Sequence, residues 1–296
     1  MVDDTNRRIA FLYPGQGAIP EALPPSTPQV ERLLAIAASH DVPLAEWIPN
    51  GDERLGETRA MQPAILIDSL VRDAVLRQSG LVPAFVAGHS LGEYAALVGA
   101  GVLSAEGALD LVCERGRLMN RVDGAMAAIV KLAPSVVEHL CDDVGSDVVI
   151  ANRNGPRQLV VTGTHAAVAR VVAEAEAVGG RGIRLRVSGP FHSPFMKPAE
   201  DALAPSIART TFSTPSVPVV SAVSGGVEQD PGRLRTLLTV QITSCVRWVD
   251  VVDRLASSGV THAVEIGSGS VLTNLGRRIT EKIAFLTYEE AADGVV

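Results

Sequence analysis

The segment Gly88-His89-Ser90-Leu91-Gly92 lies between an apolar run at 84–87 and a helix-forming run at 94–100. It spells G-x-S-x-G in a strand–turn–helix setting, and it constrains the fold more than any other stretch of the chain. The turn from strand to helix is so sharp that glycine is required at its flanks. Ser90 is then held out at the carboxyl end of a sheet. The Leu91 N–H, at the helix start, points toward any oxyanion formed on a carbonyl that Ser90 attacks. The spelling alone is weak in a chain of 27 glycines. A turn kept for helix–sheet packing carries the same letters, and the flanking strand and helix favour the nucleophile.

The remaining elements fit such a turn. The run 9–13 reads as a buried strand stopped by Pro14-Gly15. Four prolines (Pro20, Pro24, Pro25, Pro28) make 18–28 a loop. Ile65, Leu66, Leu70 and Ala74 predict a helix over 62–76, and Ser104 is a good N-cap for a helix reaching Arg121. Over 124–188 the order becomes strand (124–130), helix (135–141), strand (147–151), strand (158–162), helix (166–178) and strand (182–187), which is the ferredoxin-like pattern. Alternation then resumes, with helices near 198–209, 231–240, 249–256 and 271–280 and strands at 217–220 and 262–266. The expected class is α/β with a mostly parallel, covered sheet. Residues 1–123 and 189–296 form the large domain, and 124–188 form a small ferredoxin-like domain inserted into it.

A serine needs a base to become a nucleophile. Six histidines are available. His40, His139 and His165 read as surface positions, and His262 lies at the wrong end of its strand for a site at strand carboxyl ends. His89 adjoins Ser90, but neighbours in a tight turn usually point apart. His192, in the loop Ser188-Gly-Pro-Phe191-His192-Ser193, returns the chain to the large domain near those carboxyl ends. It is the one histidine that position raises above a core or solvated role. Tyr13-Pro-Gly15-Gln16-Gly17 can bring a backbone N–H and the Gln16 amide close to a bound oxygen, although on its own the loop reads better as a plain type II turn. Arg115 sits on a helix, where arginine is mostly a solvated ion-pair partner. If buried, it could clamp a carboxylate with two parallel hydrogen bonds.

Composition narrows the classes. The 296 residues are 47% hydrophobic and 20% charged, which excludes a disordered or fibrous chain. A net charge of −7 argues against a nucleic-acid binder. Cys113, Cys141 and Cys245 are odd in number and far apart, so no disulfide framework or zinc site follows and a reducing compartment is expected. The start of the chain, 1–8, lacks the apolar core of a signal peptide, and no run is long enough to span a membrane. The expectation is a cytoplasmic protein.

Taken in order, the segments resemble the malonyl-CoA:acyl-carrier-protein transacylases and the related acyltransferase domains of polyketide synthases. The resemblance rests on Pro14-Gly-Gln-Gly17, Gln62-Pro-Ala, Ala87-Gly-His-Ser-Leu-Gly-Glu-Tyr94, Arg115-Gly and Gly124-Ala-Met-Ala-Ala128. It continues through Ala151-Asn-Arg-Asn154 with Pro156 and Gln158, then Gly189-Pro-Phe-His-Ser193, Gln241, Arg247-Trp248 and Glu265-Ile-Gly267. It implies an α/β-hydrolase-like large domain with a ferredoxin-like insert. Ser90 matches the acylated nucleophile and His192 its general base. Gln241 matches the residue whose backbone carbonyl orients that base. Gln16 and the Leu91 N–H match the oxyanion hole, and Arg115 the partner of a malonyl carboxylate. Gln62, His89, Asn152 and Asn154 match supporting polar residues. Phe191 resembles a bulky residue that disfavours a 2-methyl branch.

The resemblance further implies malonyl transfer from malonyl-CoA to the phosphopantetheine thiol of an acyl carrier protein by a monomer, in fatty-acid or polyketide synthesis. The CoA thioester is substrate, and no metal or redox cofactor is implied. The chain departs from the family at Ala18-Ile19-Pro20, where a second glutamine is usual, and at Cys245, where proline is common. Three alternatives follow: an acyl-thioester hydrolase, a transferase of another acyl group in a specialised polyketide pathway, and a non-catalytic carrier-binding scaffold. Carrier proteins are usually acidic, so docking calls for a local basic patch, and Arg181, Arg184, Arg186 and Lys197 are candidates.

Overall fold

The computed structural model describes residues 7–17, 20 and 22–296. The leader-free reading of the first residues and the Ala18-Ile19 departure therefore fall largely outside the described residues. In chain order the elements are β1 (Ile9–Tyr13), α1 (Pro28–Ser39), α2 (Leu44–Asn50), α3 (Thr58–Gln78), β2 (Phe85–Gly88), α4 (Gly92–Gly99) and α5 (Ala105–Met119). Next come β3 (Ala125–Val130), α6 (Pro134–Val144), β4 (Val148–Gly155), β5 (Gln158–Gly163), α7 (His165–Ala177) and β6 (Arg181–Arg184). The chain closes with α8 (Lys197–Arg209), β7 (Val219–Val220), β8 (Val227–Glu228), α9 (Pro231–Val240), α10 (Trp248–Ser257), β9 (His262–Glu265), α11 (Val271–Ile279), β10 (Ala284–Leu286) and α12 (Tyr288–Ala292). No helix among the described residues is long and apolar enough to cross a membrane.

The larger sheet has the order β10-β9-β1-β2-β7-β8. Every pair is parallel except the β7–β8 edge hairpin. Apolar side chains fill both faces, with Phe11 and Tyr13 in one cluster and Ala10 and Leu12 in another. That explains why β1 reads as an unbroken apolar run rather than an alternating one. Because β9, β1 and β2 are neighbours and run the same way, the loops after Glu265, Tyr13 and Gly88 emerge side by side.

The smaller sheet is antiparallel, with the order β4-β5-β3-β6. Helices α6 and α7 cover one of its faces, where Ala127, Ile129, Leu159 and Val161 meet Val137, Leu140, Val168 and Val171. The opposite face is turned to the carboxyl ends of the larger sheet. The two sheets are tied together where Val246 pairs with β4, its N–H donating to Ala151 O at 2.8 Å and its carbonyl accepting from Arg153 N at 2.8 Å.

The structure moves several expected boundaries. The strand foreseen at 147–151 continues to Gly155, with register irregularities at Ile150/Asn152 and Arg153/Gly155. Such bulges re-aim side chains, and both asparagines of the expected site lie in this stretch. The strand foreseen at 182–187 ends at Arg184, although Leu185 N still donates to Met126 O at 3.0 Å. Helices α1, α2 and α12 and strands β8 and β10 went unread. Helix α1 is nevertheless signed by Thr27, whose side chain accepts from Val30 N, followed by Pro28 at the first turn.

Candidate active site

Ser90 occupies the turn between β2 and α4 with φ 54°, a left-handed conformation costly for serine. The strain thus falls on Ser90 itself, while Gly88 and Gly92 serve close packing. A Cβ on Gly92 would come within 2.0 Å of Tyr13 O, and one on Gly88 within 2.1 Å of the Gly92 carbonyl carbon. Any side chain at either position would push the turn out of the sheet. Leu91 caps α4, so its N–H is among the first-turn donors that a helix leaves without an intrahelical partner.

Ser90 Oγ lies 2.7 Å from His192 Nε2. The histidine is buried and also left-handed, with φ 58°. Its Nδ1 faces two backbone carbonyls, Gln241 O and Ser244 O, each at 3.1 Å. Carbonyls only accept, so Nδ1 carries the proton and Nε2 keeps its lone pair toward the serine hydroxyl. Sequence reading foresaw the Gln241 carbonyl but not Ser244. Burial first, then the Arg115 charge and His89, push the His192 pKa down to about 3. The imidazole is therefore neutral, as a base must be before it acts.

Arg115 is 1% exposed on α5, not solvated as helical arginines usually are. Its Nη2 donates to Ser90 Oγ at 3.2 Å and to Gln241 Oε1 at 3.3 Å, and its Nε has no partner. No carboxylate touches it among the described residues, and Glu93 acts on it only through its charge. A buried guanidinium without a carboxylate partner is costly, and an incoming carboxylate relieves that cost.

These groups open on a cleft of about 250 Å³ between the two sheets. Its floor includes Gly15, Gln16, His89 and Ser90, and its roof is the open face of the small sheet with Met126, Ala128, Asn152, Asn154 and Val160. Phe191 also lines it, as do Val271, Leu272 and Leu275 of α11. Gln16 Nε2 donates to Thr58 Oγ1 at 3.2 Å, and that hydroxyl meets Ser188 Oγ at 3.1 Å. His89 Nε2 meets Asn154 Oδ1 at 2.9 Å, so His89 and Ser90, despite adjacency, both reach the cleft. Gln62 does not line it. Its amide packs behind Met119, with Nε2 at 3.7 Å from the sulfur and Oε1 unpartnered. The other histidines stay apart: His40, His139 and His165 pair with Asp110, Asp143 and Asp123 at the surface, and His262 opens β9 with its Nδ1 2.9 Å from Thr261 Oγ1.

Sequence reading missed Glu93, which is 2% exposed. Its carboxylate accepts from Gln241 Nε2 at 2.7 Å and Ser221 Oγ at 2.8 Å. Burial raises its pKa. The only sequence signal is its place three residues after Ser90, which is a common helix position for a glutamate.

The four expected basic residues divide, and Arg186 is exposed just past the end of β6. Lys197 is engaged by Glu200 and Asp201. Arg184 opposes Ala127, which belongs to the helix-covered core, whereas Arg181 opposes Val130, at the outer end of the cleft side.

The model of the acyl transferase domain matches residues 29–292. The malonyl CoA-acyl carrier protein transacylase of Bacillus subtilis (strain 168) is 38% identical over 290 residues, 93% of this chain and 92% of that one. The polyketide biosynthesis protein ThaF of Burkholderia thailandensis is 40% identical over 280 residues, 91% of this chain but 24% of its own length. Among solved structures, PlMCAT:AntF, a type II PKS acyl-carrier protein in complex with its malonyl-transacylase, superposes with a TM-score of 0.89. It is 35% identical and covers 97% of this chain and 99% of that one. The chain belongs to the acyl transferase domain family and, within it, to the malonyl CoA-acyl carrier protein transacylases.

Proposed function

We propose that this protein moves a malonyl group from malonyl-CoA to the phosphopantetheine thiol of an acyl carrier protein through an ester on Ser90. The observation that carries this reading is the approach of three groups: Ser90 Oγ lies 2.7 Å from a neutral His192 and 3.2 Å from a buried Arg115. Ser90 attacks the thioester while His192 Nε2 takes its proton. The Leu91 N–H and the Gln16 amide hold the oxyanion. CoA leaves as the thiol by taking the proton back from His192. The carrier thiol then enters, gives its proton to His192 and attacks the ester carbonyl; Ser90 Oγ leaves by taking that proton back, which restores the neutral dyad. Arg115 receives the free carboxylate in two parallel hydrogen bonds, which favours malonyl over acetyl. Phe191 narrows the acyl end of the cleft. Asn152, Asn154 and His89 support its roof and floor, and Gln62 backs Met119.

In this reading the large sheet with its helices is an α/β-hydrolase-like domain, 1–123 and 189–296, and the 124–188 unit is an inserted ferredoxin-like domain. The order of the small sheet and the site at the carboxyl ends of β9, β1 and β2 support it. The chemistry calls for no metal or redox cofactor. The protein works as a cytoplasmic monomer, in fatty-acid or polyketide synthesis; the ThaF likeness keeps the polyketide assignment open. A hydrolase on the same fold is the competing reading. Incubation with malonyl-CoA and a holo carrier protein separates them: transfer yields malonyl carrier and CoA in equal amounts, whereas free malonate in excess of malonyl carrier contradicts transfer.

A further inference from the structure

The base His192 spends its contacts on one short stretch of chain. Its Nδ1 faces Gln241 O and Ser244 O at 3.1 Å each, and its backbone N–H donates to Ile242 O at 3.0 Å. Those carbonyls belong to a 3₁₀ turn, Gln241–Thr243, and to the residue that follows it. A lone turn of this kind holds itself poorly, because its hydrogen bonds are badly aligned. Its own bond runs from Ser244 N to Gln241 O at 3.2 Å. Ser244 leaves the turn extended, with φ −102° and ψ 147°. A proline next in the chain would impose that conformation, and Cys245 does not. The direction of the Ser244 carbonyl therefore depends on a hold from outside the turn.

Glu200 supplies that hold. It lies in the first turn of α8, the helix that follows the His192 loop, and it is 7% exposed. The Thr243 hydroxyl, which lies 3.0 Å from Val240 O, donates to Glu200 Oε2. Glu200 Oε1 accepts from Lys197 Nζ at 2.7 Å. Lys197 thus neutralises the carboxylate where it stands, and Glu200 acts by placement. Glu200 does not line the cleft, and the transfer steps make no other use of it. The Gln241 amide ties the first residue of the turn to Ser90 O at 2.8 Å. Glu200 ties the last residue of the turn to the segment that carries the base.

We infer that Glu200 is a positioning residue for the base: through Thr243 it fixes the turn whose carbonyls keep the His192 proton on Nδ1 and its Nε2 lone pair on Ser90. This rests on the acyl-transfer reading of the dyad. Without the clamp the Ser244 carbonyl swings away and Nδ1–H keeps a single acceptor. The ring then tilts off the line to Ser90 Oγ, so the loss falls on proton transfer and spares substrate binding.

The test measures single-turnover acylation of Ser90 over a range of malonyl-CoA concentrations, together with the ring-nitrogen NMR signals of His192. Glu200→Ala and the nearly isosteric Thr243→Val each lower the saturating rate about tenfold and leave the half-saturating concentration unchanged. Glu200→Gln and Thr243→Ser keep the hydrogen bond and stay within about twofold of wild type, as does Asp201→Ala, an exposed neighbour on α8. The double variant Glu200→Ala/Thr243→Val loses about tenfold rather than about 100-fold, because both substitutions remove one contact. The His192 Nδ1–H signal moves in Glu200→Ala and Thr243→Val and keeps its wild-type position in Glu200→Gln and Thr243→Ser. Unchanged saturating rates in Glu200→Ala and Thr243→Val, multiplied losses in the double variant, or no rescue by Glu200→Gln overturns the inference. A wild type that takes no malonyl from malonyl-CoA contradicts the acyl-transfer reading instead, and the ring signal then decides the inference by itself.

Discussion

The side-chain amide of Gln241 donates to the backbone carbonyl of Ser90 at 2.8 Å, while the backbone carbonyl of the same Gln241 accepts from His192 Nδ1 at 3.1 Å. One residue therefore fastens both members of a pair that lie far apart in the chain. Its amide nitrogen also donates to Glu93 at 2.7 Å, and its amide oxygen accepts from Arg115 at 3.3 Å. The strained turn at Ser90, the base, the guanidinium and a buried carboxylate share this one anchor.

Replacing Gln241 by alanine keeps the carbonyl that orients His192 but strips donors from Ser90 O and from the buried Glu93. The expected cost is about 2–4 kcal/mol in urea unfolding, because buried acceptors lose their partners. Ser90 acylation slows by about tenfold while the tautomer of His192, read by NMR, is kept. A loss of stability below about 0.5 kcal/mol contradicts the shared-anchor role.

His192 gives the protein an acid-sensitive site. Its folded pKa of about 3 lies below the ordinary 6.5, so between those values the unfolded chain binds a proton that the folded chain refuses. Its contribution is full above pH 6.5 and is lost as pH falls toward 3. On the order of 2 kcal/mol disappears between pH 6.5 and 5. His192→Gln flattens that part of the stability curve. The acid limb of wild-type acylation lies below pH 5, and Arg115→Ala, which removes a nearby cation, moves it upward. A limb at 6.5 in both proteins contradicts the burial argument.

Arg115 sets the acyl group. Arg115→Ala lowers malonyl acylation by about 10²- to 10³-fold, the loss expected for a buried charge-assisted pair, and leaves acetyl acylation within a few-fold of wild type. Arg115→Lys restores only part, because an ammonium cannot match the planar fork. Competition between malonyl-CoA and acetyl-CoA reads the ratio directly; an unchanged ratio contradicts the clamp.

What the sequence made legible follows from local chemistry. The turn at Ser90 could be read because its close approaches exclude side chains at Gly88 and Gly92. The alternation of strand and helix gave the α/β class, and the burial of β1 on both faces accounts for its unbroken apolar run. The rest depended on long-range placement. Glu93 and Ser244 reach the site through contacts with residues distant in the chain, which no local pattern announces. Gln62 shares the family motif yet stands behind Met119, because a residue type does not record depth. The bulged end of β4 was invisible for the same reason: its register is set by β5 and by Val246.

Every step of the transfer passes through an ester on Ser90. Brief incubation with malonyl-CoA, followed by intact-protein mass and peptide mapping, tests it on wild type and on Ser90→Ala. Wild type gains one malonyl adduct per chain on the Ser90 peptide, removed by a carrier or pantetheine thiol, and Ser90→Ala gains none. An adduct that persists in Ser90→Ala, or a wild type that neither gains mass nor releases CoA, contradicts it.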